Sequence, residues 1–217
     1  METTQAFFFT DFSNSHIPEI LKEIYLDKIY DPYLLGKKDL TIVDVGQNIG
    51  LVSYYFKDFA KIVIGLEPST QHRQSSEEMV KFNKIENIKV LPYALSNENG
   101  KAKFYKNDNN TMFSLSDTVN KNDDFEEVET ITMDKLMEIE KIDHIDLLKL
   151  DVEGWESQII ASEGFRNVVD KIDTIIGEYH SWSPVSSDLF ANSLKDLGYD
   201  FKWLNKTEAS VFICTKI

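Results

Sequence analysis

The chain is predicted to fold as a doubly wound α/β domain, a mostly parallel sheet with helices on both faces. Three observations predict this. Short apolar runs, TIVDVG (41–46), IVIGLEP (62–68) and IKVLPYAL (88–95), alternate with helix-like stretches. A strand–helix alternation of this kind is the pattern of a parallel sheet. The rhythm returns at HIDLLKLDVE (144–153) and DTIIGEYH (173–180). The last two strand-like runs, DFKWLN (200–205) and ASVFICTKI (209–217), are parted by a short polar turn, which predicts an antiparallel hairpin.

In chain order, residues 1–40 are read as an N-terminal helical segment and 41–217 as the core of a single domain. Within IPEILKEIYLDKIY (17–30), Ile17, Ile20, Leu21, Ile24 and Ile29 stand near helical spacing, and Pro18 suits a first turn. This helix is expected to pack against the core, with a cover over a site as the alternative. The stretch 51–60 reads as a helix. The strand at 62–68 stops at Pro68, and 75–85 reads as a helix capped by Ser75 or Ser76. Pro92 predicts a strand end or an irregularity in the third strand. KAKFYKN (101–107) and EEVETITM (126–133) alternate like strands and flank a polar loop. The loop spans 106–124 and carries Met112, Phe113 and Leu115, which need an apolar surface to touch. It is expected to cover a site. Helices are expected from Trp155 onward and over 186–199, the latter ending near Gly198.

Composition narrows the function. Of 217 residues, 37 are acidic and 23 basic, a formal net charge of −14. That argues against a nucleic-acid partner, which needs a clustered basic surface. The one cysteine, Cys214, lies in the apolar run VFICT and is expected in the core; a disulfide within the chain and a Cys-rich zinc site are ruled out. No run reaches the length of a membrane span. The first fifteen residues carry Glu2 and Asp11 and no Lys or Arg, unlike a signal peptide. No membrane association and a cytoplasmic setting are the expectation.

Ligands of open parallel sheets bind beyond the carboxyl ends of the strands. The first strand ends in Asp44-Val45-Gly46-Gln47-Asn48-Ile49-Gly50. Gly46 and Gly50 permit a tight turn and close backbone approach. The turn has no Gly-Lys-Ser/Thr ending, and Asn48 replaces the second glycine of the dinucleotide fingerprint. Asp44 would repel a pyrophosphate and suit an amino group or a sulfonium. Glu67 ends the second strand, 23 residues on, at the spacing of an acid that receives ribose hydroxyls. Ribose without phosphate points to S-adenosylmethionine rather than NAD. At the fourth strand end Asp151 and Glu153 share a face if the strand continues, and at the fifth Glu178 and His180 do. Histidine is matched to proton transfer near neutral pH.

Six blocks, VDVGQNIG, GLEPS, LPYALSNENG, TITMDKL, DLLKLDVEGWE and IIGEYH, resemble in order those of the FkbM family of S-adenosylmethionine-dependent methyltransferases, across residues 41–180. The resemblance implies a seven-stranded, Rossmann-like class I methyltransferase fold and O-methyl transfer to a hydroxyl of a sugar, glycan or small molecule. Gly46, Asn48 and Gly50 would line the methionine end, with Asp44 holding the turn or the amino group. Glu67 would hold the ribose, Ala94 and Leu95 would flank the adenine, and Asp151 would sit near the sulfonium and the acceptor. His180 is expected to be the general base, with Glu178 orienting it. The competing reading is a divalent metal held by Asp151, Glu153, Glu178 or His180; no spacing demands it, so no metal is expected. An NAD-type oxidoreductase and a non-catalytic S-adenosylmethionine-binding domain are the other classes. Gln47 and Trp155 replace small residues common in the family, and Trp155 would narrow the acceptor pocket or pack under the fifth strand.

Overall fold

A computed structural model describes residue 8 and residues 17–106, 113–115 and 124–217. Its strands are β1 (Leu40–Val45), β2 (Ala60–Leu66), β3 (Ile88–Leu91), β4 (Tyr93–Leu95), β5 (Gly100–Lys106), β6 (Phe113–Ser114), β7 (Phe125–Ile131), β8 (Ile145–Leu150), β9 (Ile172–His180), β10 (Tyr199–Trp203) and β11 (Ala209–Lys216). Its helices are α1 (Ile17–Tyr25), α2 (Asp31–Leu34), α3 (Leu51–Phe56), α4 (Thr70–Phe82), α5 (Met133–Glu140), α6 (Glu156–Ala161), α7 (Glu163–Arg166) and α8 (Ser187–Asp196).

Seven strands form the main sheet in the order β10-β11-β9-β8-β1-β2-β3. The five strands from β3 to β9 are parallel, with Asp44 opposite Gly65 on one side and Lys149 on the other. The C-terminal hairpin is antiparallel, and β11 inserts between β10 and β9. The order turns back at β1, so β1 and β8 end side by side where such sheets bind ligands.

The sheet is buried on both faces, which is why its strands read as continuous apolar runs. One layer joins Val43, Val45, Leu148 and Leu150 to Leu136 of α5, Ile159 of α6, Phe165 of α7 and Phe190 of α8. The other joins Ile42, Val63 and Leu147 to Ile24 of α1, Leu34 of α2, Phe56 of α3 and Met79 of α4. Full burial of such a side chain is worth about 1.5–3 kcal/mol. The N-terminal helix thus completes one of the two helical layers. Cys214 is a free, buried core residue.

Several elements differ from the sequence reading. The expected strand 88–95 breaks at Pro92, which lacks the N–H to continue a ladder. Its second half, β4, joins a separate sheet in the order β4-β7-β5-β6. The helix expected at 75–85 begins at Thr70, capped by Ser69, whose hydroxyl accepts from the His72 amide. Its first turns are too polar for the apolar period to reveal, and Ser76 lies buried inside it. The helix expected over 17–30 ends at Tyr25. The strand expected to run through Glu153 ends at Leu150. Most of the 106–124 loop, Met112 included, lies outside the described residues.

Candidate active site

A cleft opens beyond the carboxyl ends of β1, β2 and β8. Its floor is the turn after β1. Gly46 has φ +76°, and a Cβ there would stand 1.8 Å from the Asp151 carbonyl oxygen, so only glycine lets this turn close on β8. Asn48 also has positive φ, 54°, a conformation that Asn tolerates better than most residues. Its side-chain oxygen accepts from the Ile49 amide at 2.7 Å. Glu67 faces this turn from the end of β2, accepting from the Asn48 amide at 2.8 Å and the Ser69 amide at 2.9 Å. Burial pushes its carboxyl up to about 7, against the pull of those two amides and of Lys149. Tyr93, Ala94, Leu95, Phe104 and Leu115 form an apolar wall on the same side.

Asp44, expected to hold the turn or the cofactor's amino group, lies behind the turn. It is fully buried, accepts from Ser53 Oγ at 2.6 Å, and has Lys149 Nζ 3.4 Å away. It holds the turn. Gly50, expected to line the cleft, instead makes room for α4, since a Cβ there would meet Met79 and Ser76 at 2.6 and 2.7 Å. Gln47 does line the cleft. It donates to Ser53 Oγ at 2.8 Å, and its amide packs where a side chain at residue 65 would be, because Gly65 has none. Gly46, Asn48, Glu67, Ala94, Leu95, Asp151 and Glu178 all line the cleft.

The other end is acidic. Glu23 of α1, Asp151, Glu153 and Glu178 border it, with Ile20 and Tyr30 beside Glu23. Glu153 reaches the cleft through a turn rather than strand alternation: its φ is +55° and that of Gly154 is +100°. A Cβ on Gly154 would lie 2.8 Å from the Trp182 ring. The Glu153 carbonyl accepts from Ser114 Oγ at 2.7 Å and Trp182 Nε1 at 3.2 Å, so described residues of the expected covering loop do touch the site. Burial pushes Glu153 up to about 7 and Glu178 up to about 8, with Asp151 adding to both. Burial and Asp151 also raise Glu23. Lys149, within β8, lies 3.3 Å from Asp151 and donates to the Gly46 carbonyl at 2.8 Å. Burial opposes its charge, but Asp151 and Asp44 outweigh burial and hold its pKa above the usual lysine value.

His180 is the main departure. Its side chain is 3% exposed, and it stands behind the acids rather than in the cleft lining. The residue that orients it is Glu156, whose carboxylate lies 2.9 Å from Nδ1, not Glu178. Glu156 also accepts from the amides of Val152 and Gly154. Burial lowers the His180 pKa, but Glu156, Glu153 and Asp151 raise it further, to about 10. Trp182 packs on its ring at 4.7 Å. Trp155 is not in the lining of this cleft; it packs against the core layer that includes Leu150 and Ile175. It donates to Ser96 Oγ at 3.2 Å and lines a separate polar groove by β5 and β7.

Sequence reasoning missed Glu23, Lys149, Glu156 and Trp182. Lys149 had a visible signal, a lone charge inside the apolar run LLKLDV, since a buried charge needs partners.

The lining fits S-adenosylmethionine. A buried carboxylate, Glu67, stands at the end of β2, where nucleotide-binding sheets carry the acid that receives ribose hydroxyls, and an apolar wall lies beside it. Among the described lining residues the only lysine or arginine is Lys149, already paired with two acids, so nothing waits for a pyrophosphate.

The profile of the FkbM methyltransferase domain matches residues 44–201. In fold the chain is similar to magnesium protoporphyrin IX methyltransferase from Synechocystis PCC 6803, determined with bound S-adenosylmethionine (TM-score 0.57, 9% identity, covering 96% of this chain and 86% of that one). It is also similar to a precorrin-6y C5,15-methyltransferase from Geobacter metallireducens GS-15 (TM-score 0.56, 12% identity, 97% and 94%). A third is an rRNA methylase from Streptococcus thermophilus (TM-score 0.55, 11% identity, 89% and 96%). No curated protein matches the chain in sequence. The family match over most of the chain and the β1 turn with Glu67 converge on one assignment: the chain belongs to the FkbM family of methyltransferases, with S-adenosylmethionine as its cofactor.

Proposed function

We propose that this methyltransferase acts on a hydroxyl group of a sugar, glycan or other small metabolite. The observation that carries the reading is the acidic end of the cleft. Glu23, Asp151, Glu153 and Glu178 border it, and the described lining offers no unpaired Lys or Arg. Such a surface repels a phosphate-rich acceptor such as RNA and offers carboxylates to a hydroxyl, which is a poor nucleophile until its proton leaves.

S-adenosylmethionine supplies the activated methyl group. Glu67 holds the ribose hydroxyls, Ala94 and Leu95 flank the adenine, and Gly46 and Asn48 line the methionine end. Asp44 and Gly50 support that turn from behind. Asp151 stands at the junction between cofactor and acceptor. The acceptor proton passes to Glu153, a carboxylate facing the cleft. His180 reaches that proton only through the carboxylates its Nε2 faces.

Labelled cofactor incubated with a panel of sugars, nucleotide sugars, polyols, phenols and amines, and with structured RNA, tests the reading. Transfer to an oxygen of a small acceptor is expected. Transfer to RNA or to an amine, with every hydroxyl compound inert, would overturn it. No helix among the described residues is long and apolar enough to cross a membrane.

A further inference from the structure

Four carboxylates surround one buried imidazole beside the cleft. On one side, His180 Nδ1 is fixed by Glu156 at 2.9 Å. On the other, Nε2 faces Glu153 at 3.3 Å, Glu178 at 3.8 Å and Asp151 at 4.0 Å. A protonated ring held only by hydrogen bonds would draw one of these oxygens in to about 2.7–2.9 Å, the length of a charge-assisted bond. Instead three oxygens stand off the same nitrogen at similar distances. Donors about 2.1 Å from one ion lie roughly 3.0–4.2 Å apart in an octahedron, adjacent or opposite. One donor atom each from Asp151, Glu178 and His180 lie within 4.8 Å of one another.

Other features fit an ion. A carboxylate on the far ring nitrogen is the arrangement that orients a metal-ligating histidine. Lys149 engages Asp151 through Oδ2, which leaves Oδ1 turned toward His180. Asp151, Glu153 and Glu178 side chains are each 26–28% exposed, so the centre is open to the cleft.

We propose that Asp151, Glu178 and His180 form a divalent-cation site, with Glu156 as a positioning residue. Oxygen donors with one imidazole and no thiolate select a cation of the magnesium–manganese class. The inference rests on the hydroxyl-transfer reading only for its consequence: an alcohol bound to the ion would give up its proton more readily.

The test needs neither cofactor nor acceptor, so its failure is distinct from failure of the hydroxyl reading. The full chain is freed of metal with chelator and titrated with Mn²⁺, following loss of the electron paramagnetic resonance signal of the free ion. One saturable Mn²⁺ per chain is expected. Glu178→Gln and Asp151→Asn, both partly exposed, should each weaken it at least about tenfold, and Glu156→Gln by about 10–100-fold. Circular dichroism checks that each variant is folded. A second group, His144, Asp146 and Asp173, lies on the surface; Asp173→Asn should leave binding unchanged. No saturable binding by the wild type would overturn the proposal. So would binding that persists in both Glu178→Gln and Asp151→Asn, or that is lost in Asp173→Asn alone.

Discussion

Glu67→Gln separates the electrostatic cost of the ribose carboxylate from its use. In the free protein burial raises Glu67 from 4.5 to about 7. Below pH 4.5 folded and unfolded chains both carry the proton, and the group is neutral to stability. Between 4.5 and 7 the unfolded chain releases its proton while the folded chain keeps it, so stability falls as pH rises. Above 7 the loss is complete, at about 3 kcal/mol, since each tenfold difference in proton affinity between the two states is worth about 1.4 kcal/mol. Glutamine cannot ionise and escapes this loss. It also surrenders one acceptor, leaving the Asn48 or Ser69 amide poorly bonded, a cost of about 1–3 kcal/mol that does not depend on pH. The variant's stability relative to wild type should therefore improve by about 3 kcal/mol between pH 4.5 and 7.5. Titrations elsewhere in the cleft are common to both proteins and cancel. Urea denaturation at several pH values, without cofactor, reads the difference. Calorimetry adds a second arm. Ribose hydroxyls favour the ionised carboxylate, so cofactor affinity in the wild type should fall as pH drops through 7. Binding should release a proton that Glu67→Gln does not release. A stability difference that stays flat across this range would refute the reasoning, and equal proton release by both proteins would remove Glu67 from the ribose site.

Lys149→Met should destabilise the fold by about 3–5 kcal/mol near neutral pH, because Asp44 is left as an unpaired buried charge; adding Asp44→Asn should restore part of that, as read from urea midpoints. Gly46→Ala should abolish binding of S-adenosylhomocysteine in calorimetry, since the new Cβ meets the Asp151 carbonyl at 1.8 Å; near-normal affinity would show that the turn can shift. Gly177→Ala places a Cβ 2.0 Å from the Leu150 carbonyl in the middle of the sheet and should yield little folded protein, a result read from soluble yield and melting temperature. Glu67→Ala should weaken cofactor binding by about 1–3 kcal/mol in the same calorimetric assay, and NAD should bind the wild type far more weakly than S-adenosylmethionine.

The buried strands announce themselves locally. TIVDVG, IVIGLEP and LLKLDV are apolar over consecutive residues because their strands are covered on both faces, and that signal needs no partner to be read. Gly46, Asn48 and Glu67 could likewise be placed at one site from the chain alone, because a glycine turn and an acid at fixed spacing are properties of a short βαβ unit. Other features emerge only from the packed molecule. Pro92 marks a break, but only the pairing of Tyr93–Leu95 with β7 shows that the broken half enters a second sheet. Glu23 reaches the cleft because α1 packs over the sheet, a docking that its helical period alone does not show. Strand alternation predicts Glu153 beside Asp151, and it arrives there through a left-handed turn that the neighbouring Gly154 and Trp182 hold. His180 was legible as a residue that meets acids. Which acid orients it and whether it touches the cleft depend on Glu156, on another element and fully buried. Distances between side chains from separate strands, and the desolvation that sets their charge, exist only after the chain has closed. For that reason the strand-end residues of this site could be read from the sequence, whereas Glu23, Glu156 and Trp182, and the division of labour among them all, could not.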